Sequence, residues 1–179
     1  MTEVGTVYGE SLYDLAKEEA LSQQIGQQLK VLQLSFRQES EFIRLLASPN
    51  LTKQERCQIL DDSFRGSVHI YILNFLKILT EKGYIRHFSD CCDAYAERYN
   101  QDNGILPVTA VTAVALSQEQ SDKLSRKLSQ LTGKTVELHN RIDPSCLGGV
   151  RLDYNGQRLD DTVSNRLDRI RDLLKTDVL

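Results

Sequence analysis

The sequence predicts an α-helical bundle of six helices followed by a small α+β domain. Up to about residue 103, apolar residues recur at steps of three and four, which places them on one face of successive helices. After Gly104 the apolar period changes to two, which is typical of strands. The turn-rich run 100–104 separates the two patterns. We therefore predict two domains, residues 1–104 and 105–179.

The first three helices are predicted from this spacing. The first carries its apolar face on Val4, Tyr8, Leu12, Leu15 and Ala16. The second carries it on Ile25, Leu29, Leu32 and Phe36, with Ser22 as the predicted N-cap. A short third helix around residues 42–46 ends before Pro49, because proline cannot continue a helix.

Three further helices complete the predicted bundle. Thr52 and Glu55 form a capping box, and the helix that they begin closes at Phe64. The next segment, 69–79, is apolar nearly all round, which predicts either central burial or a partner on its second face. Gly83 supplies a C′ residue for that helix. The sixth helix carries Ile85, Phe88, Cys92, Tyr95 and Tyr99.

The second half predicts the order β-α-β-β-β-α. A strand over 108–114 starts next to Pro107, and Ser117 and Gln120 form a second capping box for a helix that Gly133 ends. Strands follow over 136–142 and 150–154, and the pair Asn155-Gly156 predicts a tight hairpin. A return strand contains Leu159. The final helix carries Val163, Leu167, Ile170 and Leu174, and is capped by Asp160, Asp161 or Thr162.

Charge and hydropathy exclude several classes of protein. The chain of 179 residues has 22 basic and 25 acidic side chains, a formal net charge of -3, which argues against a nucleic-acid-binding face. Its most apolar run, 70–79, is too short for a membrane span and contains Asn74 and Lys77. The first residues lack the basic and apolar regions of a secretory signal, so we expect a cytosolic chain.

No motif predicts catalysis, a metal site or a cofactor. The four cysteines are expected to be reduced thiols, and none has zinc-ligand spacing with a histidine. His87 and Cys91 stand four residues apart on one helix, where we interpret both as flanking a packed surface. Gly148-Gly149 lacks a dinucleotide-binding context, so we expect it to permit a bulge or a close backbone approach.

Several blocks, in order, resemble the delta subunit of bacterial F-type ATP synthases, the counterpart of the mitochondrial oligomycin-sensitivity-conferring subunit. Residues 8–16 (YGESLYDLA) are similar to the family's opening helix, and residues 74–83 to its fifth helix and following turn. The most specific block is 142–150 (IDPSCLGGV), followed by 159–163 (LDDTV) and Arg166-Leu167. The chain departs from the family pattern at Gly9, Ser11, Cys146, Asp161 and Asn165.

The resemblance implies a mechanical role with no catalytic group and no cofactor. Such a subunit binds N-terminal segments of the head's alpha subunits through its helical domain, here 1–104. It grips the b-type peripheral stalk through its C-terminal domain, here 105–179. The head is thereby held while the rotor turns, coupling rotation to proton transport and ATP synthesis. The resemblance also implies a peripheral location on the cytoplasmic face of the bacterial cell membrane, reached only through the complex.

The candidate site residues follow from the resemblance and from the apolar pattern. For the alpha-subunit groove we predict Tyr8, Leu12, Leu15, Ile72, Leu76 and Leu79. The alternative for these six is that they form only the bundle core. The family-motif residues of the C-terminal domain are Gly148, Gly149, Asp160, Arg166 and Leu167.

Two other classes of function remain open at this point. One is a helical RNA-associated regulatory module with an α+β appendage, which would need a clustered basic face and a steep dependence of affinity on salt. The other is a thiol-dependent enzyme, which would need an accessible cysteine with a depressed pKa.

Overall fold

The computed structural model describes residues 2–163 together with 165 and 167. It divides the chain into two compact units, Met1–Tyr99 and Asn100–Leu179. The helical part consists of α1 (Glu3–Glu18), α2 (Ser22–Gln38), α3 (Ser40–Leu46), α4 (Lys53–Phe64), α5 (Ile70–Glu81) and α6 (Phe88–Asp102). The six predicted helices are therefore confirmed, with a short 3-10 turn at Ile85–His87 leading into α6.

The helix ends follow local capping chemistry. The Thr52 capping box is confirmed, since Thr52 accepts from the Glu55 N–H and the Glu55 carboxylate accepts from the Thr52 N–H. At the end of α5, Gly83 has φ +78 and the Tyr84 N–H donates to the Leu79 carbonyl at 2.7 Å. The left-handed conformation of Gly83 turns the chain so that the Tyr84 N–H reaches a carbonyl that the helix end would otherwise leave unpaired.

The N-cap prediction for α2 is wrong by one residue. Ser22 is the first helical residue, and Leu21 holds the cap position without a side-chain hydrogen bond. The reason is the tight turn from α1, in which Ala20 has φ +57 and the Leu21 N–H donates to the Ala16 carbonyl at 2.8 Å. The Ser22 carbonyl instead accepts from the Tyr95 hydroxyl of α6 at 2.8 Å.

The bundle core is one cluster built from every helix. Its fully buried members include Ala16, Ile25, Leu46, Leu60 and Ile72. An aromatic group links Phe36 of α2 to Phe42, Phe64 and Phe88, at centroid distances between 5.1 and 5.9 Å. Lys77 of α5 pairs with Asp61 of α4 at 2.8 Å on the rim of the bundle. The aromatic group therefore joins α2, α3, α4 and α6, and the ion pair joins α4 to α5.

The second unit contains β1 (Ile105–Thr112), α7 (Gln118–Thr132), β2 (Thr135–Ile142), β3 (Val150–Tyr154) and β4 (Gln157–Asp160). The strands form one sheet in the order β2-β1-β3-β4, with β1 and β2 parallel and the other pairs antiparallel. The second capping box at Ser117 and the stop at Gly133, φ +68, are confirmed. The predicted hairpin is confirmed too, since Asn155 and Gly156 both have positive φ between β3 and β4.

One face of the sheet packs against α7. Leu106, Val108 and Val136 are buried there, with Leu128 of α7 packed against them. Pro107 is the third residue of β1, not its start, and it lies beyond the pairing with β3, which begins at Thr109. The predicted final helix lies mostly outside the described residues. Of its described residues, Val163, Asn165 and Leu167 have helical backbone. Within the described part of the chain, no helix has the length and apolarity needed to cross a membrane.

Candidate partner-binding surfaces

Two glycines let α1 lie directly against the backbone of α6. A Cβ atom at Gly5 would overlap the Cβ of Asp90, and one at Gly9 would overlap the Cys91 carbonyl oxygen. Both glycines are buried, and they stand four residues apart on the same helical face. The close approach therefore requires glycine at both positions.

A polar contact fixes the start of α1 against the same helix. Thr2 is the N-cap of α1 and accepts from the Gly5 N–H at 3.2 Å. The Thr2 hydroxyl donates to the Asp90 carboxylate at 2.7 Å, and the Thr2 backbone N–H donates to it at 3.2 Å. These hydrogen bonds hold the pKa of Asp90 below its usual value. His87 lies 3.8 Å from the same carboxylate.

With α1 held in this way, apolar side chains remain on the solvent side of α1 and α5. Tyr8 packs edge to face on Tyr84, which lies in the turn after α5, with ring centroids 5.9 Å apart. We define the α1/α5 surface as six apolar residues on and beside these two helices: Val7 (56% exposed), Tyr8, Leu15 (40%), Ile70 (55%), Ile78 (45%) and Tyr84 (37%). Exposed apolar side chains of this kind are typical of docking sites for amphipathic helices.

The six predicted groove residues divide between surface and core. Tyr8 is half-buried and Leu15 is exposed, so both can contact a partner. The other four are buried in the bundle core: Leu12, Ile72, Leu76 and Leu79. Their side chains offer no surface in this structure, so they support the α1/α5 surface from beneath, and partner contact stays a prediction for Tyr8 and Leu15 alone.

The sequence prediction missed the exposed part of α5. Ile72, Leu76 and Leu79 stand on one helical face, whereas Ile70 and Ile78 stand on another, separated by two turns. In a helix that is apolar nearly all round, composition does not say which face points inward. Asn74 lies between Ile70 and Ile78 at helical spacing and marks the outer face.

The helical unit also has a groove next to its aromatic group. It has a volume of about 850 Å³ and is lined by α2, α3 and α4, including Phe36, Phe42, Leu45 and Phe64. Glu39, Glu41 and Arg44 also line it. The sequence prediction did not single out this groove, since its aromatic residues come from three helices.

In the C-terminal unit, the two sequence blocks of the family motif meet through their backbones. The Val163 N–H donates to the Gly148 carbonyl at 3.0 Å, and the Asp161 N–H donates to the Val150 carbonyl at 3.2 Å. Gly149 has φ +80, and a Cβ there would come within 2.5 Å of the Asp161 carbonyl oxygen. The predicted close backbone approach at this glycine pair is therefore confirmed.

Asp160 holds the turn that follows β4. Its carboxylate accepts from the Thr162 hydroxyl at 2.7 Å and from the Thr162 N–H at 3.0 Å, which lowers the pKa of Asp160. Thr162 in turn accepts from the Asn165 N–H at 3.3 Å, as an N-cap does. Of the three predicted caps, Thr162 fills the role. Leu167 is 53% exposed, and the structure of Arg166 lies outside the described residues.

The thiols of the described residues have the properties of structural cysteines. Burial raises the pKa of Cys91 to about 12, and burial likewise raises the pKa of Cys92. Cys57 is half-buried, and its pKa is raised by burial and by the carboxylate of Glu81 at 3.7 Å. A raised pKa leaves little thiolate at neutral pH, so these three cysteines are poor nucleophiles. The described residues contain no group of three or more side chains that could hold a metal ion.

Comparison with known proteins gives one consistent result. The family model "ATP synthase delta (OSCP) subunit" matches residues 4–174. ATP synthase subunit delta of Clostridioides difficile is 32% identical over 168 residues, covering 93% of each chain, and that of Alkaliphilus oremlandii is 30% identical over 167 residues, again covering 93% of each. A chain in the cryo-EM structure of the Toxoplasma gondii mitochondrial ATP synthase hexamer has a similar fold, with a TM-score of 0.76 at 21% identity and with 97% of this chain and 98% of that one covered.

Proposed function

We propose that this chain, which belongs to the ATP synthase delta (OSCP) subunit family, is a non-catalytic stator subunit that joins the catalytic head to the b-type peripheral stalk. The observation that carries the proposal is that the family match, residues 4–174, extends over both compact units. A link between two partners needs two binding surfaces, and each unit presents its own exposed apolar residues.

For the helical unit, we propose that the α1/α5 surface binds N-terminal segments of the head's alpha subunits. Support comes from Val7, Leu15, Ile70 and Ile78, whose apolar side chains are between 40% and 56% exposed. An amphipathic helix can lay its apolar face along such residues. The Tyr8–Tyr84 pair adds rigid aromatic area, which interfaces favour because little side-chain entropy is lost on binding.

For the C-terminal unit, we propose that the family-motif region binds the stalk. Exposed apolar side chains gather on its two blocks and on the start of the final helix: Ile142, Leu147, Leu159, Val163 and Leu167. The backbone contacts between Gly148, Gly149 and the 161–163 turn hold these blocks in one arrangement. A surface that is fixed before binding loses less conformational entropy when the partner arrives.

The proposal gives the protein a peripheral place in the complex. It lies on the cytoplasmic face of the bacterial cell membrane and is held there by its partners, so that the head stays still while the rotor turns. Binding two partners through two units raises the effective concentration at each site, which slows complete release under torque. Rotation is thereby coupled to proton transport and ATP synthesis.

A titration of the full chain with a peptide of the alpha subunit's N-terminus tests the head-side assignment. We expect saturable binding by the wild type and at least tenfold weaker binding by Ile78→Asp, because a carboxylate would be buried against the peptide's apolar face. Val31→Asp places the same charge on α2, where Val31 is 64% exposed, and serves as the control with unchanged binding. Equal affinities for the two variants would contradict the assignment.

A further inference from the structure

The outer edge of β2 has unpaired main-chain groups. β2 is an edge strand of the sheet, and its odd-numbered residues bond towards β1. The Thr135 N–H donates to the Gly104 carbonyl at 2.9 Å, and beyond the strand the Asp143 N–H donates to the Thr112 carbonyl at 2.8 Å. Because successive residues in a strand point their N–H and C=O groups to opposite sides, those of the even-numbered residues face away from the sheet.

Only the first part of this outer edge is covered. The Val136 N–H donates to the Ser129 hydroxyl at 3.2 Å, and the Ser125 hydroxyl donates to the Val136 carbonyl at 3.1 Å, both from α7. Further along, the N–H and C=O groups of Leu138 and Asn140 have no hydrogen-bond partner within the part of the chain that the structure describes. Proteins usually cover or disrupt such an edge, because it is a template for another strand.

The side chains beside this edge define what can pair with it. Glu137, His139 and Arg141 are exposed on one face of the sheet. On the other face, Leu138 is half-buried and Ile142 is 56% exposed. An added strand would therefore place apolar side chains beside Leu138 and Ile142. On its opposite face it would place a basic group near Glu137 and an acidic group near Arg141.

We propose that the β2 edge, residues 138–142, binds an extended segment of the peripheral stalk subunit by strand addition. The proposal rests on the function proposed above and states how the C-terminal unit holds its partner. The segment would be about five residues long, since the open edge spans that many residues. Main-chain hydrogen bonds give such an addition its affinity, and the alternating side chains give it its specificity.

A second copy of this chain fits the edge less well. Antiparallel pairing of two edges about Asn140 would place Glu137 opposite Asp143, which sets like charges against each other. Pairing about His139 would use only Leu138 and Asn140, because Val136 is already covered by α7. A dimer held only by these residues would bury far less than the roughly 1,600 Å² of a stable interface, whereas the stalk is also proposed to contact the family-motif region.

The test compares two substitutions of one edge residue in the full chain, titrated with the purified stalk subunit. Leu138→Pro removes an outward N–H without removing a bond to β1, and proline is tolerated at such edge positions. Leu138→Ala removes the same side chain but keeps the N–H. We expect Leu138→Pro to bind at least tenfold more weakly than Leu138→Ala. In wild-type protein, we expect the amide protons of Leu138 and Asn140 to exchange at least tenfold more slowly when the stalk subunit is bound.

Three other outcomes would contradict strand addition, and they distinguish it from the stator function. Tight stalk binding by Leu138→Pro, together with unchanged exchange at Leu138 and Asn140, would leave the stator function standing and remove strand addition. No stalk binding by the wild type would remove both. A homodimer in sedimentation that Leu138→Pro dissolves would assign the edge to a second copy instead. If Leu138→Pro fails to fold, as monitored by thermal unfolding, the exchange measurement on the wild type decides alone.

Discussion

Gly9 and Ser11 are two residues apart on α1, but only Gly9 contacts α6. Gly9 is buried where the backbones of α1 and α6 meet. Ser11, two residues on, is exposed and donates to the Val7 carbonyl of its own helix. The family pattern has alanine at both positions. The structure accounts for Gly9, because an alanine Cβ there would overlap the Cys91 carbonyl oxygen.

We expect Gly9→Ala to lower the free energy of unfolding by about 1 kcal/mol. Overpacking costs about 1–3 kcal/mol, and the better helix propensity of alanine offsets about 1 kcal/mol of that cost. Ser11→Ala is the matched control, and propensity alone predicts that it raises stability by up to about 0.7 kcal/mol. Urea unfolding of the two variants measures both values, and a stabilised Gly9→Ala protein would contradict the close packing of α1 on α6.

The Asp90 carboxylate makes part of the stability depend on pH. Its pKa is lowered in the folded state, mainly by the Thr2 hydroxyl, so the unfolded chain binds this proton more readily. The stabilisation is therefore present above the unfolded pKa of about 3.9 and is lost as the pH falls through the folded value. Asp90→Asn should be less stable than the wild type at neutral pH, and the difference should shrink on acidification. A difference that stays constant down to pH 2 in urea unfolding would contradict this role.

At the scale of elements, helix ends and turns were predictable, whereas helix faces were less so. The capping boxes at Thr52 and Ser117 and the hairpin at Asn155 need only residues near in sequence, and all three are confirmed. The face of α1 was predicted through Leu15, but the structure buries Tyr13 and exposes Leu15. Glycines cause the difference, because a hydrophobic pattern assigns no burial to Gly9, although the helix packs through it.

The difficulty of predicting helix faces also explains why most of the predicted groove residues lie in the bundle core. Leu12 and Leu76 match the apolar pattern as well as any surface residue would, and only the packed bundle distinguishes core from groove. The close approach at Gly149 was predictable, because a glycine pair before a strand has few other uses. The partner of Gly149, the backbone at Asp161, was not predictable, because the contact joins two segments that only the folded chain brings together.

Gly149→Ala tests whether the backbone contact between the motif blocks supports stalk binding. The substitution strains a residue at φ +80 and also pushes against the Asp161 carbonyl. Gly156→Ala is the control, with φ +72 and no atom within 4 Å of the added Cβ. Both carry the left-handed penalty of about 1–2 kcal/mol, but only Gly149→Ala adds a steric cost. We expect at least tenfold weaker stalk binding for Gly149→Ala alone, as measured by titration calorimetry.

Equal binding by the two glycine variants would mean that the motif blocks contribute only to folding. Head binding provides a second check on the same proteins. We expect it to be unchanged in both, since the alpha-subunit peptide is assigned to the helical unit.

Taken as a whole, the protein has two compact units, and we propose one partner for each of them. The residues proposed to bind the head lie on and beside α1 and α5 of the helical unit, and those proposed to bind the stalk lie around the family motif and along the open edge of β2 in the C-terminal unit. Substitutions in one unit should leave the other partner's binding intact, because the exposed residues of each surface belong to one unit.

The most direct test of this account is sedimentation of purified head and purified stalk with and without this protein. We predict that head and stalk migrate separately on their own and together when the protein is added. Ile78→Asp should retain the protein on the stalk but lose the head. Head and stalk that stay separate in the presence of the wild-type protein, with the protein bound to one of them or to neither, would contradict its role as the link.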